Sequence, residues 1–214
     1  MNVIKQSKTQ QAAQAPLEPW PAPYVTYPEA GETCKPSTLL LGSGIPGADV
    51  EVWSSDETQL HGKGKINKNG RWAFSVSGDM EHGTQVIKAR QTYRETVSIW
   101  SNDRSFDVDL ESGLDVPAIA EPRESKVLDE PVIIKGDVQH PEGMVDIIDL
   151  DKDLWIAYAL VNQQGKWATE KPIRFSVGEH RISAIHRADG KKSDWARVRT
   201  FTVIGARKTG KQTG

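Results

Sequence analysis

Asn67-Lys68-Asn69-Gly70-Arg71-Trp72 runs on into Ala73-Phe74-Ser75-Val76, and its opening returns 95 positions later as Asn162-Gln163-Gln164-Gly165-Lys166-Trp167. An Asn-to-Gly turn leading directly into Trp-x-Phe-x-Val reads as a tight turn that opens a strand with one apolar face, because side chains alternate across a strand. Sliding the whole sequence against itself at this offset aligns Pro36 with Pro131, Pro46 with Pro141, Val50 with Val145, Asp56 with Asp151 and Gly83 with Gly178. Ile87 and Ala89 then fall on Ile182 and Ala184, Ser98 and Trp100 on Ser193 and Trp195, and Arg104, Phe106 and Val108 on Arg199, Phe201 and Val203. Trp and Gly matches at fixed spacing are a poor product of chance, so two copies of one domain are expected in a single ungapped register.

Each copy carries the same apolar rhythm of period two: Val50 and Val52, then Trp72, Phe74 and Val76, then Ile87 and Ala89, then Phe106 and Val108. Ile45-Pro46-Gly47, Ser54-Ser55-Asp56, Asn67 to Gly70, and Gly83 punctuate it with turn chemistry. Short strands at such spacing, with no helical periodicity, predict an all-β chain of two tandem sandwiches, seven strands in each. The expected division is a flexible N-terminal arm over residues 1–22, sandwiches over 23–109 and 117–204, a linker over 110–116, and a flexible tail over 205–214. Head-to-tail joining would make the pair rod-like.

Pro46-Gly47-Ala48-x-Val50-x-Val52, Asn69-Gly70-Arg71-Trp72, Gly83-Thr84 before Ile87-x-Ala89, and a Ser-rich turn before Phe106-x-Val108 resemble the bacterial Ig-like domains repeated in surface proteins and adhesins. The second copy shows the pattern in Pro141, Gly165-Lys166-Trp167, Gly178-Glu179-His180, Ala184 and Phe201-Thr202-Val203, and departs from it at Glu142-Gly143. The resemblance covers roughly residues 23–204 and implies the Ig-like fold. Such modules serve as spacers, adhesive tips and accessory domains alike, so it implies little about activity.

The 214 residues hold 27 Lys plus Arg against 29 Asp plus Glu, a formal charge of −2 that gives no global field to recruit nucleic acid or an anionic membrane. The single Cys, Cys34, rules out an intramolecular cystine framework. Behind Met1 to Lys8 there is no apolar run of the kind a Sec signal requires, and no window is long enough to span a bilayer. The expectation is a chain that stays inside the cell, leaves by a non-Sec route or was cut from a longer precursor; the resemblance favours a surface or exported setting.

Few residues suggest chemistry. Trp72 and Trp167 have the inward phase and read as core anchors, and Trp100 and Trp195, matched between copies, read as structural residues of the last strand. Trp53 and Trp155 have no Trp counterpart, and Trp53 is out of phase with Val50 and Val52. Each could stack on a sugar or anchor a protein interface, or else pack on the outer face against a Lys stem.

Asp149, Asp151 and Asp153 alternate as in a calcium loop, but Leu154 stands where such a loop turns on glycine, Leu160 where it supplies Glu, and Lys152 competes. A solvated acidic turn is the simpler reading. His140, His180 and His186 lie on different segments without zinc-ligand spacing, and no nucleophile elbow or phosphate-binding loop is present. Strand order also suggests a charged joint: Arg187, Lys191 and Lys192 of the second copy facing Asp56, Glu57, Asp79 and Glu81 of the first. The expected function is a non-enzymatic binding or spacer module without cofactor, engaging a protein or glycan. The alternative is a structural subunit of an appendage, secreted particle or phage-like assembly.

Overall fold

The computed structural model describes residues 19–205. Every regular element among them is a β-strand. The first copy contains β1 (Tyr24–Tyr27), β2 (Thr33–Cys34), β3 (Leu39–Ser43), β4 (Asp49–Ser54), β5 (Leu60–Lys65), β6 (Arg71–Ser75), β7 (Gly83–Tyr93), β8 (Thr96–Val97) and β9 (Arg104–Val108). The second repeats them as β10 (Ala118–Glu121), β11 (Lys126–Asp129), β12 (Lys135–Asp137), β13 (Met144–Asp149), β14 (Leu154–Leu160), β15 (Lys166–Ala168), β16 (Gly178–Ala188), β17 (Lys191–Lys192) and β18 (Arg199–Ile204).

In the first copy a three-stranded sheet β1-β3-β6 packs on the larger sheet β2-β9-β7-β4-β5, with β8 paired to β7. The second copy has β10-β12-β15 on β11-β18-β16-β13-β14, with β17 paired to β16. No named strand of one copy pairs with one of the other. This is a tandem Ig-like sandwich: seven principal strands per copy, supplemented by a rim strand running parallel to the last strand and a short hairpin return.

Period-two patterning does the folding. Trp72 inserts between the sheets against Leu40, Val50, Val52, Ile87, Ala89, Phe106 and Val108, and Trp167 does the same among Ile134, Val145, Ile147, Ile182, Ala184, Phe201 and Val203. Trp72 is matched to Gly42 across β3, where a Cβ would collide with the indole and with the Tyr24 carbonyl. Gly136 meets Trp167 in the same way. Each sheet therefore leaves out a side chain to admit the ring.

The repeat is not ungapped. Gly42 and Gly136 are 94 positions apart, whereas β4 and β13 are 95 apart. The connection before β13, residues 138–143, is one residue longer than its counterpart, residues 44–48. The match of Pro36 with Pro131 lies on the wrong side of this insertion and is coincidental.

The terminal expectations need correction where they can be seen. Within the arm, residues 1–18 lie outside the described residues, but Trp20 donates to the Tyr93 carbonyl at 3.0 Å and Gln91 donates to the Pro21 carbonyl at 2.7 Å, so the segment just before β1 is bound to β7. Of the tail, residues 206–214 lie outside the described residues. The linker is tied on both sides: Lys35 Nζ donates to the Leu110 carbonyl and Leu114 N to the Lys192 carbonyl.

Candidate functional site

β6 is the open edge of its sheet, and such an edge presents unpaired carbonyls and amides. The second copy covers it along its length. Arg181 Nη1 donates to the Ala73 carbonyl at 3.0 Å, Arg197 Nη2 to the Val76 carbonyl at 3.3 Å, and Val198 N to Ser75 Oγ at 2.9 Å. On the outer face of that sheet Leu39 and Ala73 bury against Ile148 and Leu150, flanked by Tyr27, Leu41, Trp195 and Val198. The copies therefore join side-on, through a sheet face, rather than end to end as a rod.

Two carboxylates lock this joint. Asp151 accepts from Arg181 Nε and Nη2 at 2.8 and 2.6 Å and from Asn67 Nδ2 at 2.9 Å. Asn69 Nδ2 adds a bond to the Asp151 carbonyl at 2.9 Å. Asn67 can do this because its own Oδ1 already shapes the β5–β6 turn by accepting from the Asn69 and Arg71 amides, leaving the amide end free. Asp194, on the other flank, accepts from Tyr27 Oη at 2.6 Å and from Lys35 N at 2.8 Å. Burial, with the Asp194 charge behind it, pushes the Tyr27 phenol well above its ordinary range.

The calcium candidates belong to this joint. Asp149 is fully buried and its Oδ1 accepts from the Asp151 and Lys152 amides. Asp151 is held by Arg181, and Asp153 Oδ2 pairs with Arg71 Nη2 at 2.6 Å. Lys152 Nζ stands 3.1 Å from Asp149 Oδ2, so each carboxylate is drawn to a different cation, while Lys152 and Asp153 at the tip of the turn stay exposed to solvent.

The charged joint expected from strand order is not the one formed. Arg187 pairs with Asp146 of its own copy at 2.6 Å and Glu57 with Lys88 at 2.7 Å. Asp56 accepts from Ser54 Oγ, Thr58 N and Thr58 Oγ1, bonds that hold its carboxyl below the usual range. Among the described residues Asp79, Glu81 and Lys191 make no ion pair, and only Lys192 reaches across, to Glu32 at 3.6 Å.

Trp53 lies on the outer face, as its phase predicts. Its Nε1 donates to Glu51 at 3.2 Å and Arg90 stands over its ring. Trp100 neighbours it with Lys88 and Arg90 each 4.7 Å from its ring, just ahead of β9 rather than within it. Trp155 is 49% exposed and stacks on Trp195, which in turn packs edge-on against Tyr27 of the first copy.

Trp155 belongs to a larger surface that sequence phase did not reveal. β14 is the outer edge of its sheet, and Leu154, Trp155, Tyr158 and Leu160 are all about half exposed or more. At the positions of Met144, Tyr158 and Leu160 the first copy has Asp49, Lys63 and Lys65, with Lys65 and Asp49 paired at 2.9 Å. At the end of the second copy, His140 meets Glu142 and Asp189, three residues that sequence spacing left apart.

No protein-family model and no curated protein matches the sequence. Among solved structures the chain is similar to the BSP domain of a biofilm-associated protein, at 18% identity over 87% of this chain and 30% of that one, with a TM-score of 0.33. It is also similar to the fibronectin(III)-like modules of Clostridium thermocellum CbhA, at 16% identity over 90% and 99% with a TM-score of 0.34. A third is a tetra-tandem repeat from the extending region of a large adhesion protein, at 16% identity over 78% and 46% with a TM-score of 0.29. The chain thus spans under a third of the first and under half of the third. No helix long and apolar enough to cross a membrane occurs among the described residues.

Proposed function

We propose that the chain is a non-enzymatic spacer and protein-recognition module: two Ig-like sandwiches held at one angle, with β14 offered to an extended, uncharged segment of a partner protein. The observation that carries this reading is the contrast between equivalent edges. Lys63 and Lys65 guard β5, as charges on an edge strand do, whereas Leu154 to Leu160 is a seven-residue run without a charge on β14. A strand added there would continue the sheet through backbone hydrogen bonds and lay alternate side chains on Tyr158 and Leu160. The surface also continues through Trp155 and Trp195 into the joint. The glycan alternative at Trp53 has weaker support, because that indole is already engaged by Glu51 and Arg90.

This reading assigns the chain no reaction, cofactor or nucleic acid. The sequence resemblance to surface repeats supports a setting at a cell surface or in an exported assembly, with the partner strand supplied by a passing protein or a permanent neighbour. The test titrates a soluble peptide carrying the β14 sequence, and separately a glycan panel, while tryptophan fluorescence is followed. Saturable quenching by the peptide is expected, lost in Trp155→Ala and in the Tyr158→Lys/Leu160→Lys double variant. A response to glycans alone, lost in Trp53→Ala, would replace this reading with the glycan one. Sedimentation of the free chain distinguishes pairing with a second copy through the same edge.

A further inference from the structure

The one-residue insertion of the second copy falls in the connection of residues 138–143, and it carries side chains of a chemistry the first copy lacks there. His140 Nε2 lies 3.4 Å from Asp189 Oδ2 and 3.8 Å from Glu142 Oε2. That nitrogen itself is shielded from solvent and makes no hydrogen bond to either carboxylate, while the His140, Glu142 and Asp189 side chains are otherwise 42%, 65% and 67% exposed. One ligand atom from each of the three residues falls within 4.8 Å of the other two.

The geometry points to a divalent-metal site formed by His140, Glu142 and Asp189, suited to zinc or another borderline first-row ion. Ligand atoms about 2.0–2.2 Å from a tetrahedral metal are about 3.3–3.6 Å from one another; the His140–Asp189 spacing of 3.4 Å already fits, and Glu142, at 3.8 Å from His140, would close in on binding. An imidazole beside two carboxylates favours zinc, cobalt or nickel over calcium and magnesium, which prefer oxygen alone. Three protein ligands leave a fourth position for water.

The surroundings fix the backbone that carries the ligands. His186 is 1% exposed, and its Nε2 bonds the Glu142 carbonyl at 2.7 Å, while Glu142 N donates to the His140 carbonyl at 2.9 Å to close the turn. Asp189 and Gly190, both at positive φ, make the β16–β17 turn that carries the third ligand to this loop. The adjacent Arg187 is occupied by Asp146 and does not compete. Counting back from β13 and β16, the first copy has Ile45, Gly47 and Arg94 at these places, so it offers no ligand and adds a cation. There the residue equivalent to His186, Gln91, ties the loop amide of Ile45 to the Pro21 segment instead.

Calorimetric titration of the full chain with zinc chloride in a non-coordinating buffer tests the site, with cobalt absorption reporting tetrahedral coordination. One equivalent should bind saturably and produce the visible cobalt bands. His140→Ala and Asp189→Asn should each weaken binding by at least the roughly 10- to 100-fold that loss of an outer partner costs, and His82→Ala should change nothing. Near-ultraviolet circular dichroism checks that the variants remain folded, and zinc should raise the unfolding midpoint of the parent but not of Asp189→Asn. Absence of saturable binding, weak binding at many sites as an adventitious ion only, or stoichiometric binding that survives His140→Ala would each overturn the assignment.

Discussion

Asp56 and Asp151 occupy matched places in the repeat and do opposite jobs. Asp56 closes its own turn, whereas Asp151 turns outward to Arg181 and Asn67. With side chains only 12% and 18% exposed, Arg181 and Asp151 form a pair that is costly to break from one side. Arg181→Met should therefore destabilise the chain by about 2–4 kcal/mol in urea unfolding, and adding Asp151→Leu should restore much of the loss, because removing both charges leaves neither stranded. Sequence comparison could find the shared aspartate but not its bond to Asn67, since that partner comes from the other copy.

His61 supplies a pH dependence at the same scale. It is 3% exposed, and burial holds its imidazole below the ordinary value, with the Asp56 charge opposing only in part. The folded chain thus keeps His61 neutral while the unfolded chain takes up a proton as pH falls through about 6.5. Its contribution is complete above that pH and is lost as pH falls toward the lower folded value. The midpoint of the parent should drop more between pH 7.5 and 5 than that of His61→Gln.

At the scale of elements, the alternating strands and the two core tryptophans were legible because a strand with one buried face writes its own period. Strands buried on both faces do not. Leu39-Leu40-Leu41 has no alternation, the signature of such a strand: Leu40 enters the core and Leu39 enters the joint. Read for that feature, the run would have disclosed a covered outer face. β14 is the opposite case: an unbroken apolar run ordinarily belongs to a buried strand, yet Leu154, Trp155, Tyr158 and Leu160 are exposed here. Gly42 gives this scale its prediction: with the Tyr24 carbonyl and Trp72 ring filling the space a Cβ needs, Gly42→Ala should cost about 3 kcal/mol or more in denaturant unfolding.

For the whole molecule, the joint is made of buried apolar side chains and shielded hydrogen bonds, neither of which salt screens strongly. Small-angle scattering should give the same profile in low and high salt, and reversing the charges of Lys191 and Lys192 should leave it unchanged. Calorimetry should show one unfolding transition for the parent and a second, earlier one once Leu150→Ala and Arg181→Met have opened the joint.

Cys34 adjoins this joint, its thiol fully buried and 3.5 Å from the Tyr27 hydroxyl that Asp194 holds. Burial, with the Asp194 charge behind it, pushes the thiol up to about 12, so it meets reagents as an unreactive thiol while the clasp is shut. Because the chain has a single cysteine, every labelling event reports one place. The protein carries its own stopwatch: the rate at which a thiol reagent reaches Cys34 times how often the first copy's core opens beside the joint.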